Sequence, residues 1–196
     1  MTYKDVFKMP TKINITGRTS TVTNAFVSSI LPSIEPEKDE IQECLRILGL
    51  NANDLRCAYC GDKYTEWDHL RPLVLDKKPT GYVSEIRNLV PACGKCNQSK
   101  GNKNWNDWIT GKAKWSPKIR KVKDLEVRIQ RLKRYEKWGR LSPIKFEKIV
   151  DRKLWDEHWR NCEKMHKEME KCQNLADQIR TDIKKSYKPA KLQSKA

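Results

Sequence analysis

The hydrophobic pattern first predicts two short helices near the amino terminus. One covers roughly residues 23–31 and is stopped by Pro32, which has no backbone N–H for a helical hydrogen bond. The other begins near Pro36 and ends at Gly49, a residue type that favours helix ends. Its apolar positions recur at helical spacing, at Ile41, Cys44, Leu45 and Leu48. Both helices are predicted to be packing elements.

A different pattern occupies residues 56–108, where short extended runs and turn residues replace helical periodicity until after Cys96. Beyond Pro117 a helix returns and stops between Gly139 and Pro143. One predicted face of that helix carries Leu125, Ile129 and Leu132. The pattern therefore predicts short strands and turns between two helical regions.

A long helix is predicted after Pro143, and its apolar residues form a narrow heptad-like stripe. The stripe consists of Cys162, Met165, Met169, Cys172, Ala176, Ile179 and Ile183. Two partners could bury this stripe: the helix from Leu125 to Tyr135 of the same chain, or a second copy of the chain in a homodimer. The Lys-rich tail after Tyr187 is predicted to be disordered.

The charge of the chain indicates a polyanionic partner. Lys and Arg total 41 against 25 Asp and Glu, which gives a net charge of +16 and a pI near 9.6. Residues 112–196 hold 26 of the basic and 12 of the acidic residues. Nucleic acid is the first candidate and an anionic membrane surface the second. No run approaches the ~20 apolar residues of a membrane span, and the first residues lead into no secretory core, so a cytoplasmic protein is expected.

The cysteines indicate a metal site rather than a disulfide framework. There are seven, an odd number, and four form two close pairs: Cys57 with Cys60, and Cys93 with Cys96. Two C-x-x-C turns supply four thiolates, which close a tetrahedral shell around a structural Zn²⁺ and leave no position for water. The alternative is two coincidental pairs of buried thiols. The remaining three, Cys44, Cys162 and Cys172, are predicted to be ordinary buried thiols.

The loop between the two pairs carries a second set of polar residues. It contains Glu66-Trp67-Asp68-His69-Leu70-Arg71-Pro72 and then Asn88-Leu89-Val90-Pro91, and Asn97-Gln98-Ser99-Lys100-Gly101 follows the second pair. In order and spacing these residues resemble the HNH family over about residues 56–108. The resemblance implies a ββα-metal fold and nuclease activity.

The chemistry of phosphodiester hydrolysis accounts for each residue type. His69 can accept the proton of a water near neutral pH and is assigned as general base. Asp68 and Asn97 offer hard oxygen ligands suited to Mg²⁺. The resemblance implies that Asn88 ties the intervening loop through backbone hydrogen bonds. It also implies a bend that lets two successive strand residues, Asp68 and His69, serve one site.

One position departs from part of the family, since Gly101 stands where some members carry another histidine ligand. This departure favours Mg²⁺ or Mn²⁺ over a catalytic transition metal. The alternative is a structural role, in which His69 only caps or hydrogen-bonds a buried polar group and takes no part in catalysis. His158, Cys162 and His166 recur every four residues and are better explained by a helical seam than by another metal.

Cations and tryptophans follow the second cysteine pair. The cations expected to contact DNA phosphates are Lys95, Lys100, Lys103, Lys112, Lys114, Lys118, Arg120, Lys121 and Lys123. A merely solvated face is the alternative. The interleaved tryptophans, Trp105, Trp108 and Trp115, are expected to pack in the core, with base stacking as the alternative.

Together these features predict an α+β protein with a small ββα-metal core and a structural zinc. The expected segments are an N-terminal helical piece (1–55), a nuclease core (56–111) and a basic helical arm that binds DNA or dimerises (112–196). The expected activity is metal-dependent cleavage of double-stranded DNA, with a sequence-specific type II restriction enzyme as the first setting. A homing or phage endonuclease and a non-catalytic zinc-dependent nucleic-acid-binding module are the alternatives.

Overall fold

The computed structural model describes residues 9–187, so the tail predicted to be disordered lies outside the described residues. Its helices and strands are α1 (Thr19–Ser28), α2 (Lys38–Leu48), β1 (Glu66–His69), β2 (Val74–Leu75), β3 (Lys78–Pro79), β4 (Leu89–Ala92), α3 (Gly94–Lys100), α4 (Trp105–Ile109), α5 (Leu125–Gly139) and α6 (Arg152–Ser186). Helices flank two small antiparallel sheets, β1 with β4 and β2 with β3. The predicted α+β class is confirmed.

Contacts group the chain into two units. The larger is Asn24–Arg152, which holds both sheets and helices α2 to α5. The smaller joins the described parts of Met1–Thr23 and Lys153–Ala196. The sequence divided the chain at residues 55 and 111 instead. In the larger unit, elements from all three predicted segments share one hydrophobic core. The shared core crosses the predicted segment boundaries, and the division into three domains stays a prediction.

Strands β1 and β4 and helix α3 form a ββα arrangement at the centre of the larger unit. The two strands run antiparallel, with Glu66 opposite Ala92 and His69 opposite Leu89. Helix α3 follows β4 after a single residue, Cys93. Because β4 is buried along most of its length, both strands are held firmly against the core.

Helices α2 and α5 pack against each other and cover this arrangement. Their buried residues join one hydrophobic cluster, with Cys44 and Leu48 from α2 and Ile129, Leu132 and Tyr135 from α5. Helix α5 also packs on the turn Ile86–Asn88, just before β4. The Tyr135 hydroxyl lies 2.8 Å from the carbonyl oxygen of Leu89 and also contacts that of Ile86, so its one proton is shared between the two acceptors. The flanking helices thus fix the start of β4.

The predicted ends of α2 and α5 agree with local backbone chemistry, whereas α1 covers Thr19–Ser28 instead of the predicted residues 23–31. Helix α2 starts at a reciprocal capping box between Glu37 and Glu40 and ends before Gly49, whose φ of 62° lies in the left-handed region. Helix α5 ends at Gly139, where an added Cβ would lie 2.9 Å from the Arg87 carbonyl oxygen. Only glycine allows that close approach of α5 to the Ile86–Asn88 turn.

The smaller unit is built around the 35-residue helix α6. The backbone N–H of Ile15 donates a 2.7 Å hydrogen bond to the buried Gln173 side chain, and Thr23 contacts His166 at 3.2 Å. The apolar stripe on α6 is largely exposed at its carboxyl end, where Ile183 is 60% exposed. Across residues 9–187, no helix combines the length and apolar character needed to cross a membrane.

Helix α5 buries one face within the larger unit, where Ile129, Leu132 and Tyr135 join the hydrophobic core. The two coverings considered for the apolar stripe of α6, by the helix from Leu125 to Tyr135 of the same chain or by a second copy, stay predictions.

Candidate functional site

The end of β1 and helix α3 bring three predicted site residues to one cavity. Asp68 and His69 come from β1 and Asn97 comes from α3. All three line a cavity of about 300 Å³. Strand β1 ends at His69, so the two successive residues reach the same cavity although strand residues normally alternate. The arrangement places one carboxylate, one imidazole and one amide around a space that can hold small groups.

The Asp68 carboxylate is buried and held by two donors. The Tyr59 hydroxyl donates a 2.6 Å hydrogen bond to Oδ2 of Asp68. The Lys100 ammonium lies 3.1 Å from Oδ2 and 3.2 Å from Oδ1, and it also donates a 2.8 Å hydrogen bond to the His69 carbonyl. These contacts fix the carboxylate from two sides while leaving it lone pairs for a further ligand.

Burial dominates the titration of this ion pair. It raises the pKa of Asp68 and lowers the pKa of Lys100, while the attraction between the two groups opposes both shifts. Burial beside the carboxylate also raises the pKa of Tyr59 well above its usual range. Tyr59 is therefore a protonated donor at neutral pH.

The position of Lys100 corrects one expectation. The sequence placed its ammonium among the cations that contact DNA phosphate. The side chain is instead fully buried and bonded to Asp68 and to backbone carbonyls. Its charge is engaged inside the site, so it does not lie on the surface where a phosphate backbone would bind.

His69 is oriented by a residue that the sequence did not single out. Its Nε2 lies 2.8 Å from the Ser84 hydroxyl. The Ser84 carbonyl in turn accepts a 2.8 Å hydrogen bond from the backbone N–H of Ile34, which anchors that segment. In the tautomer whose Nε2–H donates to the Ser84 hydroxyl, Nδ1 is the ring nitrogen that can take a proton. Serine has no sequence signature for this role, which depends on a contact between residues 15 positions apart.

The imidazole of His69 is neutral near neutral pH. Burial, and secondarily the Lys100 charge, lower its pKa to about 4. A neutral ring has an unprotonated nitrogen and can accept a proton from water. The environment therefore provides the protonation state that a general base requires.

Asn88 connects the end of β1 to the loop that follows. Its fully buried side chain accepts a 2.8 Å hydrogen bond from the Arg71 N–H and donates to the carbonyls of Arg71 and Val83, at 3.1 and 3.4 Å. The backbone carbonyl of Asn88 accepts a 2.7 Å bond from Leu70. These bonds hold the backbone immediately after His69, and Asn88 itself does not line the cavity.

The four paired cysteines converge into one cluster. The sulfur atoms of Cys57, Cys60, Cys93 and Cys96 all lie within 4.8 Å of one another, and those of Cys60 and Cys93 are 3.6 Å apart. Tetrahedral zinc with Zn–S bonds of about 2.3 Å requires sulfur separations of roughly 3.8 Å. The donor set and its spacing therefore fit Zn²⁺. Within residues 9–187 this is the one metal-ligand cluster found, and His158 and His166 take no part in it.

A partly buried guanidinium supports this cluster. Arg120 donates a 3.4 Å hydrogen bond to the sulfur of Cys96 and pairs with Asp62. Its positive charge offsets part of the negative charge that four thiolates would carry. The sequence expected Arg120 to contact DNA phosphate. That expectation is corrected, since its guanidinium is occupied at the cysteine cluster.

The cysteine cluster is structurally continuous with the cavity. Cys93 caps α3, the helix that carries Asn97. Tyr59 lies between the first two cysteines and donates to Asp68. A metal that fixes the four sulfurs therefore also positions both the carboxylate and the amide of the cavity.

The cavity also fits a hard divalent cation by its donor chemistry. Asp68 supplies a carboxylate that keeps free lone pairs, and Asn97 supplies an amide oxygen. A set of few protein oxygens leaves positions for water and phosphate, as Mg²⁺ prefers.

The remaining predicted cations lie at the surface. Side chains that are exposed include Lys95, Lys103, Lys112, Lys114, Lys118, Lys121 and Lys123. Of the three tryptophans expected in the core, Trp105 and Trp108 are 2% exposed, whereas Trp115 is 43% exposed. The core expectation is thus wrong for Trp115.

Comparison with known proteins identifies the same region. Residues 57–103 match the family described as HNH endonuclease. Over 67 residues the chain is 36% identical to a CRISPR-associated endonuclease Cas9 of Corynebacterium diphtheriae. That alignment covers 32% of this chain and 6% of the relative, so the chain spans a small part of the relative's length. No solved structure matches the chain with significant similarity. Residues 57–103 therefore form an HNH endonuclease domain within this chain.

Proposed function

We propose that this protein is a metal-dependent endonuclease that hydrolyses phosphodiester bonds in double-stranded DNA. The observation that carries the proposal is the convergence of Asp68, His69 and Asn97 on one cavity inside the HNH match. The strongly positive net charge of +16 supports a polyanionic substrate.

In the proposed reaction His69 is the general base. In the tautomer whose Nε2–H donates to Ser84, Nδ1 accepts the proton of the attacking water while the Ser84 contact holds the ring in orientation. Asp68 and Asn97 would hold Mg²⁺ or Mn²⁺, which when bound would neutralise charge on the phosphate. Tyr59 and Lys100 keep the Asp68 carboxylate in place, and Asn88 keeps the chain after His69 in its bend.

The direct test is digestion of plasmid DNA by the purified chain with added Mg²⁺ or Mn²⁺. Appearance of nicked or linear product that depends on the added ion supports the proposal. Intact plasmid with both ions, from protein that is folded and zinc-loaded, contradicts it. Discrete fragments would further support the finer proposal of a sequence-specific type II restriction enzyme, and a smear would contradict that finer proposal.

Loss of the Ser84 hydroxyl should slow cleavage without weakening DNA binding. Ser84→Ala removes a partner of His69, and one hydrogen bond of typical strength corresponds to a roughly 3- to 10-fold lower kcat. Ser84→Thr keeps a hydroxyl and should restore most of the rate. The measurement is single-turnover cleavage of a labelled duplex together with its Kd. An unchanged rate in Ser84→Ala would show that the contact does not position the imidazole.

We also propose that the active species is a homodimer in which each subunit cuts one strand. A single site of this kind hydrolyses one phosphodiester, and two-fold symmetry matches a symmetric DNA sequence. The exposed α6 stripe supports the proposal, since Met165, Ile179 and Ile183 are each about half exposed or more. Light scattering should give two chains per cognate duplex, and Ile179→Glu should reduce this to one. One wild-type chain per duplex with nicked product would rule the dimer out.

A further inference from the structure

Trp115 is an exposed tryptophan on the loop between α4 and α5. Its side chain is 43% exposed, whereas the following residues, Ser116 and Pro117, are fully buried. The Ser116 hydroxyl donates a 2.8 Å hydrogen bond to the carbonyl of Gly111, and its N–H donates at 2.8 Å to that of Ala113. The loop is therefore anchored directly beneath the indole, so its exposure is built into the fold.

Two lysines lie over the indole ring. The ammonium of Lys95 is 5.7 Å from a ring centroid of Trp115, and that of Lys114 is 5.3 Å away. Both distances lie within the range of a cation–π contact. Both lysines are exposed, so either ammonium can leave the ring at small cost and take a phosphate instead.

The segment around Trp115 has an extreme charge. Residues 112–123 hold six Lys and Arg residues and no Asp or Glu. One of the six, Arg120, is engaged at the cysteine cluster, and the other five are exposed. An exposed aromatic face surrounded by uncompensated cations has the chemistry that binds unpaired nucleotides, whose bases stack on the ring while their phosphates meet the lysines.

The Trp115 surface is separate from the catalytic cavity. Lys95 and Asn97 are two residues apart on α3, and such positions project about 200° apart around a helix. Asn97 lines the cavity, so Lys95 and the indole it contacts lie on the other side of α3. Both surfaces are fixed to one short helix next to the zinc cluster.

We propose that Trp115, Lys95 and Lys114 form a binding site for an unpaired nucleotide in a single-stranded stretch of the DNA substrate. The proposal rests on the proposed function, because the nuclease's own DNA is the source of that strand. Paired bases in a duplex hide their faces in the helical stack and cannot stack on the indole. The site therefore directs the enzyme to DNA in which duplex adjoins an unpaired strand.

The test compares binding of a labelled oligothymidine of about 12 nucleotides with binding of a duplex of equal length, at fixed salt and with no added divalent ion. Trp115→Ala should weaken oligothymidine binding by at least about fivefold, the lower limit for one stacked base, and leave duplex binding within twofold. Trp67→Ala is the matched control, because Trp67 is equally exposed at 43% but borders Tyr64 and an apolar cavity. It should change neither affinity.

A second pair of variants guards against a folding defect. Trp115→Phe keeps an aromatic face and should retain most of the oligothymidine affinity, and Trp115→Leu keeps an apolar side chain and should lose it. Equal affinities of the Phe and Leu variants, or equal losses on single strand and duplex, overturn the proposal. Tighter binding of oligouridine than of oligothymidine overturns the assignment to DNA.

Failure of this proposal is distinguishable from failure of the proposed function. The binding assay requires no catalysis, and plasmid digestion requires no unpaired strand. If the protein cuts plasmid and its Trp115→Ala variant binds oligothymidine as tightly as the wild type, only the proposal of a nucleotide site is contradicted. If Trp115→Ala weakens binding of the single strand but the protein cuts no plasmid with Mg²⁺ or Mn²⁺, only the proposal of nuclease activity is contradicted.

Discussion

Replacing His69 with alanine should lower the rate of DNA cleavage by about 100- to 10,000-fold, the usual contribution of a general base. The affinity for DNA should stay within about twofold, because the half-buried imidazole faces the catalytic cavity and carries no positive charge at neutral pH. Single-turnover cleavage of a labelled duplex gives the rate, and anisotropy with no added divalent ion gives the affinity.

Two further variants separate the base from the metal ligands. Asp68→Ala and Asn97→Ala should also lose cleavage, and raising Mg²⁺ or Mn²⁺ should restore part of it if their defect is weaker ion binding. No concentration of either ion should rescue His69→Ala. His158→Ala is the matched histidine control, since His158 packs against Trp159 on α6 and does not line the cavity. Equal cleavage by wild type and His69→Ala would remove His69 from the mechanism.

Replacing Cys57 or Cys96 with serine should unfold the larger unit rather than merely slow catalysis. Structural zinc contributes about 10 to 16 kcal/mol to small zinc domains, which is as large as the whole stability of a typical domain. Loss of the zinc site should also disturb the cavity. Cys93 caps α3, which carries Asn97, and Tyr59, which lies between Cys57 and Cys60, holds Asp68. Elemental analysis should find one zinc per wild-type chain, and circular dichroism should show loss of cooperative melting in the variants.

The matched control is Cys172→Ser. Cys172 lies on α6 outside the cluster, and its thiol is exposed, so the prediction that it is buried is wrong. The variant should keep both the zinc and the melting temperature. A strong chelator added to the wild type should reproduce the Cys57→Ser melting curve. Wild-type protein with no zinc, or a Cys57→Ser variant that melts like the wild type, would contradict a structural zinc at these four cysteines.

Local chemistry made several features predictable from the sequence alone. Gly49 ends α2 because its left-handed backbone favours glycine. Most predicted apolar positions of α2 and α5 face the core, whereas Ile41 is 41% exposed. The two C-x-x-C pairs predicted a four-sulfur site because two short turns supply a complete tetrahedral set. The ββα core and the meeting of Asp68, His69 and Asn97 at one cavity followed from the family resemblance.

Burial of polar side chains was decided only by the tertiary structure. Lys100 and Arg120 look like the other cations of a basic segment, yet Lys100 is buried against Asp68 and the partly buried Arg120 contacts the cysteine cluster. Ser84 gained its place beside His69 in the same way. Each contact joins residues far apart in the chain, so composition and spacing do not reveal it.

The same reason separates the three tryptophans. Trp105 and Trp108 lie on α4 and pack into the core. Trp115 lies on a loop whose backbone is buried at Ser116, and its indole is exposed. The sequence by itself determined which elements form and which residues can ligate a metal, because those properties depend on neighbours in the chain. The tertiary structure decided which charged side chains are paired inside the protein and which aromatic side chain stays exposed to solvent. Those properties depend on what packs against each side chain.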